Sequence, residues 1–411
     1  MPATLPARPI AFTEFVALIA SLTALNALAI DAMLPALPQI GAALHVATDN
    51  QRQWVITAYL LGVSSTQLLY GVLSDRFGRK RILLIGVGLY AAFAIVAAFA
   101  VTFTQLVAAR ALMGAGAAAV QVLAVSLVRD RFSGAQMARV MSLTFMVFLT
   151  APVLAPSIGQ AIMQVSSWRM IFAFLATFSL ILLTWAALRL PETLHEEDRL
   201  PLEPRRIAAA FRTVFASRTT VGYMFAAASV LGALFGFINS VQQVFADIFH
   251  AAAVFPIIFA CVAIGMAGAS LLNSRIVVRL GVRYVSHRAL LGFITFGALH
   301  WLVAHSGYET IVTFAVLQAA MMVCFGMVAA NFASIAMEPL GHVAGTGSSI
   351  YGTITLAVGS TLGFVIGQQF DGTAVPLTTG YLMCGLMALA FVLVTERGML
   401  FGGRPAATVE A

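Results

Sequence analysis

Gly71-Val72-Leu73-Ser74-Asp75-Arg76-Phe77-Gly78-Arg79-Lys80-Arg81 places five charges in eleven residues between two long apolar segments. Charge in that setting marks a short loop that leaves a membrane on its positive side. Gly71 permits close helix contact, Asp75 is placed to cap the next helix or bind an arginine, and Gly78 makes a turn that a β-carbon would obstruct. An isolated basic loop reads first as an anchor that only sets orientation. That reading leaves the Gly-Asp-Gly spacing unexplained, so Gly71, Asp75, Arg76, Gly78 and Arg79 are also candidate gating residues.

Outward from this loop the chain is apolar. Of its 411 residues 61% are hydrophobic and 9% charged, with a mean hydropathy of +0.95. An ordinary soluble domain carries about 25% charged residues. Runs of about 20 apolar residues mark membrane spans. The sequence predicts twelve, near 12–34, 54–73, 82–101, 104–128, 140–163, 167–188, 221–244, 251–273, 284–304, 310–336, 344–369 and 375–395. The one long polar stretch, 189–219, holds Pro191, Glu196, Glu197, Asp198, Pro201, Pro204, Arg205 and Arg206, and divides the spans six and six. The expected fold is an all-α membrane protein with twelve transmembrane helices in two pseudo-symmetric six-helix halves. Its expected parts are an N-terminal half (1–188), a cytoplasmic linker (189–219), a C-terminal half (220–396) and a cytoplasmic tail (397–411).

The net charge of +7 follows from topology. With both termini cytoplasmic, Arg52 and Arg169 fall outside and Arg110 within a span, and the other 20 of 23 basic residues are cytoplasmic. That is the positive-inside pattern, and it implies no nucleic-acid partner. Cys261, Cys324 and Cys384 fall within spans without metal-ligand spacing, as small apolar residues do. Ala27-Leu28-Ala29 faintly resembles a signal-peptidase site but lies inside a continuous apolar run, so the first helix is expected to stay uncleaved.

Two sets of six suggest a duplication. Ser274-Arg275-Ile276-Val277-Val278-Arg279-Leu280-Gly281-Val282-Arg283 repeats the opening loop at an offset of 203 residues, pairing Gly281 with Gly78 and Arg279 with Arg76, while Asp75 becomes Val278. Halves related about the membrane normal place a substrate site at their interface. Gly359, Gly363 and Gly367, and similarly Gly114 with Gly116 and Gly265 with Gly268, read as small-residue packing stripes.

The loop at 71–81 resembles the signature between helices 2 and 3 of the major facilitator superfamily of secondary transporters. Asp31-Ala32-Met33-Leu34-Pro35-Ala36-Leu37-Pro38 resembles the Asp-x-x-Leu-Pro-Ala-x-Pro signature of its Bcr/CflA drug:proton antiporters. Arg110 with Gly114 and Gly116 resembles the fourth-helix motif. Ala151-Pro152-Val153-Leu154-Ala155-Pro156-Ser157-Ile158-Gly159 resembles the fifth-helix antiporter motif, with alanines where glycines are usual. Trp168-Arg169 with Phe172, then Pro191-Glu192-Thr193, resemble the flanks of helix 6, and His342-Val343-Ala344-Gly345-Thr346-Gly347-Ser348-Ser349 resembles the start of helix 11. The resemblance implies proton-coupled efflux of chloramphenicol-like or bicyclomycin-like compounds from the bacterial inner membrane by a monomer. It also implies a path lined by helices 1, 4, 7 and 10.

Asp31 is the one acid well inside a span. A charge at the bilayer centre costs about 2.5–3.5 kcal/mol, which makes such an acid a functional candidate; the alternative is a helix cap near Pro35. Asp31 lies seven residues before Pro38, about 10 Å at 1.5 Å per residue, and Arg110 lies six after Thr104, about 9 Å from the same face. An ion pair between them is therefore expected, either static or as a proton-coupling pair. Burial disfavours a carboxylate and a nearby guanidinium favours it, so a conformational change between the two cycles a proton. Pro152, Pro156 and Gly159, further gating candidates, are expected to form a bent face that packs against the other half and seals the cavity against proton leak.

Cavity candidates are Asn26, Tyr59, Gln67, Met113 and Gln121 in the first half, and Phe235, Asn239, Gln242, Gln318, Met322 and Asn331 in the second. Arg110, Met113, Ala117 and Gln121 share a helical face. Amides among Phe and Met suit amphipathic molecules; the alternative is hydrogen bonding between helices. His300 and His305 share no face and are expected to lack a carboxylate partner, so no metal site is read. Without a phosphate-binding loop, paired carboxylates or a nucleophile elbow, the sequence reads as no enzyme and needs no cofactor. The partners expected are a small-molecule substrate, protons and the bilayer. The rival readings are a proton-coupled importer of a metabolite and a non-transporting receptor or scaffold, the latter poorly served by about fifteen polar residues after the last span.

Overall fold

The computed structural model describes residues 10–194, 196–199 and 204–401. Among them the chain is helical, with no β-strand. Twelve long helices carry the fold. The first six are α1 (Phe12–Asp31), α2 (Trp54–Phe77), α3 (Arg79–Ala98), α4 (Phe103–Arg131), α5 (Gly134–Val165) and α6 (Arg169–Arg189). The second six are α7 (Arg218–Gln243), α8 (Phe255–Leu280), α9 (Val282–Ser306), α10 (Ile311–Met337), α11 (Ala344–Gln368) and α12 (Val375–Thr395). Each predicted run has become one helix, because backbone in hydrocarbon must satisfy its own polar groups. Their ends are set locally. Thr102 accepts from the Gln105 N–H, Ser217 from the Thr220 N–H, and Thr310 with Thr313 forms a capping box.

The predicted linker is not wholly irregular. A further helix, Pro204–Ala216, begins at a proline and buries Ala210 and Val214 one turn apart. The chain divides into two compact units: Met1–Val46 with Ala58–Pro204, and Ala47–Thr57 with Arg205–Ala411. The segment Ala47–Thr57 thus joins the second unit although its chain neighbours on both sides belong to the first.

In the first unit, α3 packs on α4 and α6, and α1 packs on α5. Gly114 and Gly116 serve different faces: a Cβ on Gly114 would lie 2.0 Å from the Tyr59 carbonyl oxygen of α2, and one on Gly116 2.5 Å from the Tyr90 nitrogen of α3. The proline motif of α5 corrects the expectation. Ala151, Ala155, Pro156 and Gly159 are buried, and a Cβ on Gly159 would sit 2.1 Å from the Ala32 carbonyl oxygen just beyond α1. This face therefore packs inside its own unit, and α5 runs unbroken through Pro152 and Pro156.

In the second unit, α7 lies along α11 at the stripe Gly359, Gly363, Gly367; a Cβ on Gly363 would lie 2.6 Å from the Phe235 carbonyl carbon. The stripe predicted in α8 does not pack this way. Gly268 has nothing within 4 Å, and Gly326 of α10 instead brings the backbones together at Met266. The duplication is visible in the main chain: Gly78 has φ 95°, ψ 150° and Gly281 has φ 86°, ψ 149°. That region of backbone space is essentially reserved for glycine, and both residues make the same break, between α2 and α3 and between α8 and α9.

Candidate functional site

The buried charge of the first unit is built on α1, α2 and α4. Arg110 is fully buried, Asp31 is buried as the last residue of α1, and among the described residues no ion pair joins them. The expected pair is replaced by a different arrangement. Arg110 Nη2 donates to the Ala29 carbonyl at 3.0 Å, Nη1 to Met113 Sδ at 3.6 Å, and the guanidinium lies 4.4 Å over the Tyr59 ring and 5.9 Å from that of Phe172. A flat, weakly hydrated cation is satisfied by aromatic faces and a carbonyl as well as by a carboxylate. The depth estimate holds nonetheless, since Arg110 reaches α1 two residues before Asp31. Tyr59 Oη donates to Asn26 Oδ1 at 2.6 Å, and Asn26 Nδ2 to the Ala117 carbonyl at 3.5 Å. Asn26, Tyr59, Arg110 and Met113 therefore form one connected group. Gln67 is buried with Oε1 lacking a protein partner, and Gln121, unlike Met113 and Ala117, is exposed.

A second constellation lies at the α2–α3 turn. Arg79, 4% exposed, bonds Asp75 Oδ1 at 2.5 Å through Nη1, Ser74 Oγ at 2.7 Å, and Asp130 Oδ2 at 3.0 Å through Nε. Asp75 thus binds an arginine one turn away. Glu192 accepts from the backbone N–H groups of Arg79 at 2.8 Å and Lys80 at 3.2 Å, capping α3. Gly71 accepts from Ser74 Oγ at 2.8 Å, and Arg76 is exposed. Asp130 and Glu192 were not singled out from the sequence; a buried arginine with several donors needs more than one acid, and that requirement was the available signal.

In the second unit the predicted amides separate into two kinds. Asn331 exchanges hydrogen bonds with Asn273 at 2.8 and 3.2 Å, which ties α10 to α8. Asn239 and Gln242 are buried with side-chain atoms that have no partner among the described residues, Gln318 is buried facing Tyr381, and Phe235 and Met322 are buried too. Histidine 300 departs from expectation: a carboxylate does lie against it, with His300 Nε2 2.8 Å from Glu309 Oε1. The expectation failed because Glu309 is nine residues on, beyond the end of α9, and returns through the turn at Gly307. His305 bonds the Trp301 carbonyl through Nδ1 at 2.9 Å. The start of α11 at His342, Val343 and Ala344 lies outside the described side chains.

The segment Ala47–Thr57 brings an unforeseen amide cluster. Gln53 Nε2 donates to Gln243 Oε1 at 2.8 Å and to the Gly367 carbonyl at 2.9 Å, and Gln243 Nε2 donates to Asn50 Oδ1 at 2.8 Å. Gln368 Nε2 donates to the Asn50 carbonyl at 2.7 Å, and Asn50 Nδ2 to the carbonyls of Gln368 and Phe370 at 3.0 and 2.8 Å. No charged side chain takes part in these bonds.

A family model described as Major Facilitator Superfamily matches residues 19–364. The chain belongs to that superfamily. Over 392 residues it is 30% identical to a protein named bicyclomycin resistance protein homolog of Haemophilus influenzae, covering 94% of this chain and 97% of that one. It is 30% identical over 196 residues to multidrug resistance protein D of Escherichia coli K12, 48% of each chain. Among solved structures, a peptide transporter POT in complex with sulfate aligns with a TM-score of 0.74 at 15% identity, covering 97% of this chain and 98% of that one, a likeness of fold alone. As a member of the superfamily this is a multi-pass membrane transporter of small molecules, and family and fold point to transport instead of catalysis.

Proposed function

We propose that this transporter exports small amphipathic drug-like molecules across the bacterial inner membrane in exchange for protons, working as a monomer with both termini cytoplasmic. The observation that carries this reading is a buried acid, Asp31, two residues beyond the α1 carbonyl that Arg110 binds. The end-to-end likeness to a protein named for bicyclomycin resistance supports the direction and class of transport. Chloramphenicol-like and bicyclomycin-like compounds are the first to try.

The chemistry asked of the residues is modest. Asp31 takes a proton when its environment faces the acidic side and gives it up when the environment changes. Arg110, held by Ala29, Tyr59 and Met113, supplies a fixed positive charge against which that exchange is poised. One elementary charge moved through 100 mV supplies about 2.3 kcal/mol to the cycle. Within the first unit Gln67 is the polar candidate for substrate contact; within the second, Asn239 and Gln242 are the polar candidates and Phe235 the apolar one.

Asp31→Asn is expected to abolish proton-driven uptake of an exported drug into inverted vesicles while the protein still reaches the membrane folded. Asn keeps the shape but exchanges no proton. Unchanged uptake with an unchanged pH profile would remove Asp31 from coupling, and accumulation of drug by intact cells would reverse the direction and favour an importer.

A further inference from the structure

Two buried histidines of the second unit differ in one respect. His287 uses both ring nitrogens: Nε2 meets the Tyr223 hydroxyl at 2.8 Å, and Nδ1 accepts the Phe401 N–H at 3.0 Å. His300, also buried, has Nε2 on Glu309 at 2.8 Å while Nδ1 has no partner among the described residues. Nor is Nδ1 isolated from other polar groups. The Tyr381 ring of α12 lies 6.1 Å from the imidazole, and the Tyr381 hydroxyl faces the Gln318 amide of α10, both of them buried. Three helices thus bring buried polar groups to one place, and a core would ordinarily give Nδ1 a partner there.

We infer that His300 and Glu309 form a proton-binding site inside the second unit, with Nδ1 taking the proton and Glu309 orienting the ring. The carboxylate accepts from Nε2–H, which fixes the neutral tautomer and leaves the Nδ1 lone pair bare. Protonation forms one N–H bond at Nδ1 and breaks none in the protein. It turns a buried single negative charge into a neutral imidazolium–carboxylate pair, the less costly arrangement in a low dielectric. The titratable groups brought to His300 are Glu309 from the loop and Tyr381 from α12. Phe314 faces it from α10 with ring centroids 5.0 Å apart, and His305 on the same helix is turned to the Trp301 carbonyl. Glu309 is held in place by the left-handed turn at Gly307 on one side and the Thr310 cap on the other. Use of this site in transport rests on the proposed efflux function; proton binding itself does not.

Ring-nitrogen NMR of the full-length chain, labelled with 15N-histidine in lipid nanodiscs, tests the site without any transport assay. The signal showing contact with the Phe314 ring is expected to be the Nε2–H tautomer at alkaline pH and to become doubly protonated on acidification. In Glu309→Gln the doubly protonated ring should be reduced or lost at the same pH, since the carboxylate that favours the imidazolium is gone. A His300 ring that keeps one tautomer down to pH 5, or that titrates identically in Glu309→Gln, would overturn the inference. A transport profile insensitive to Glu309→Gln, with the NMR shift present, would leave the site and deny its role in coupling.

Discussion

At the scale of single residues, the two glycines at equivalent breaks make a controlled comparison. Gly78 and Gly281 share a backbone conformation closed to side chains, but a Cβ on Gly78 would also lie 2.4 Å from Glu192 Oε2, whereas one on Gly281 meets nothing within 4 Å. Gly281→Ala should therefore cost the strain alone, about 1–3 kcal/mol. Gly78→Ala should cost more, because it also displaces the carboxylate that caps α3. Thermal unfolding of both variants in detergent, together with Glu192→Gln in each background, gives the difference; equal losses would mean that Glu192 contributes little. Arg110→Lys is a second residue-scale test. It keeps the charge but loses the planar face over Tyr59, a contact worth about 0.5–2 kcal/mol, and the reach to Ala29. Lower thermal stability with weakened coupling is expected, and wild-type behaviour would show that charge alone suffices. The sequence pointed to Asp31 and Arg110 from their cost in a membrane. It did not reveal that Arg110 meets a carbonyl and an aromatic ring, because partners on other helices depend on rotations that no spacing encodes.

At the scale of elements, the sequence was legible where one rule dominates. Apolar runs of the right length became helices with nearly the expected bounds, because hydrocarbon leaves the backbone no other choice. The faces of those helices were less legible. The α5 motif was expected to meet the opposite half, yet its small residues close on Ala32 and Pro35 at the end of α1. Gly159→Val should therefore push α1 and α5 apart within one unit, at a cost of about 1–3 kcal/mol for an overpacked contact. A loss of thermal stability without any transported molecule present is the expected result. A stable variant defective only in exchange would restore the sealing role first assigned to that face. The small helix in the linker was not legible as a span because its 13 residues are too few to cross a membrane and its apolar residues are set among arginines.

At the scale of the whole molecule, six-plus-six spans and a repeated Gly-Arg loop were enough to indicate a duplicated transporter fold. The repeat is close in its backbone and loose in its chemistry. Near the end of α6, Glu192 holds four backbone N–H groups, two of them at the start of α3, while just after α12 Glu396 binds Arg283 Nε at 3.0 Å and the Tyr223 hydroxyl at 2.7 Å. What a division into halves does not convey is the allegiance of Ala47–Thr57. Its Asn50 and Gln53 are satisfied by Gln243, Gly367 and Gln368, residues 190 to 318 positions later in the chain. A chain truncated after residue 203 should accordingly be cut by protease around 48–53, and co-expression with residues 204–411 should restore protection; resistance of the truncated chain by itself would show that the segment has another home. Synthesis runs in one direction, so the first connection to leave the ribosome must wait for almost the whole polypeptide before its amides find partners. One of the earliest stretches made is then among the last to be fixed, and until it is fixed its donors and acceptors are open to water, lipid headgroups or chaperones.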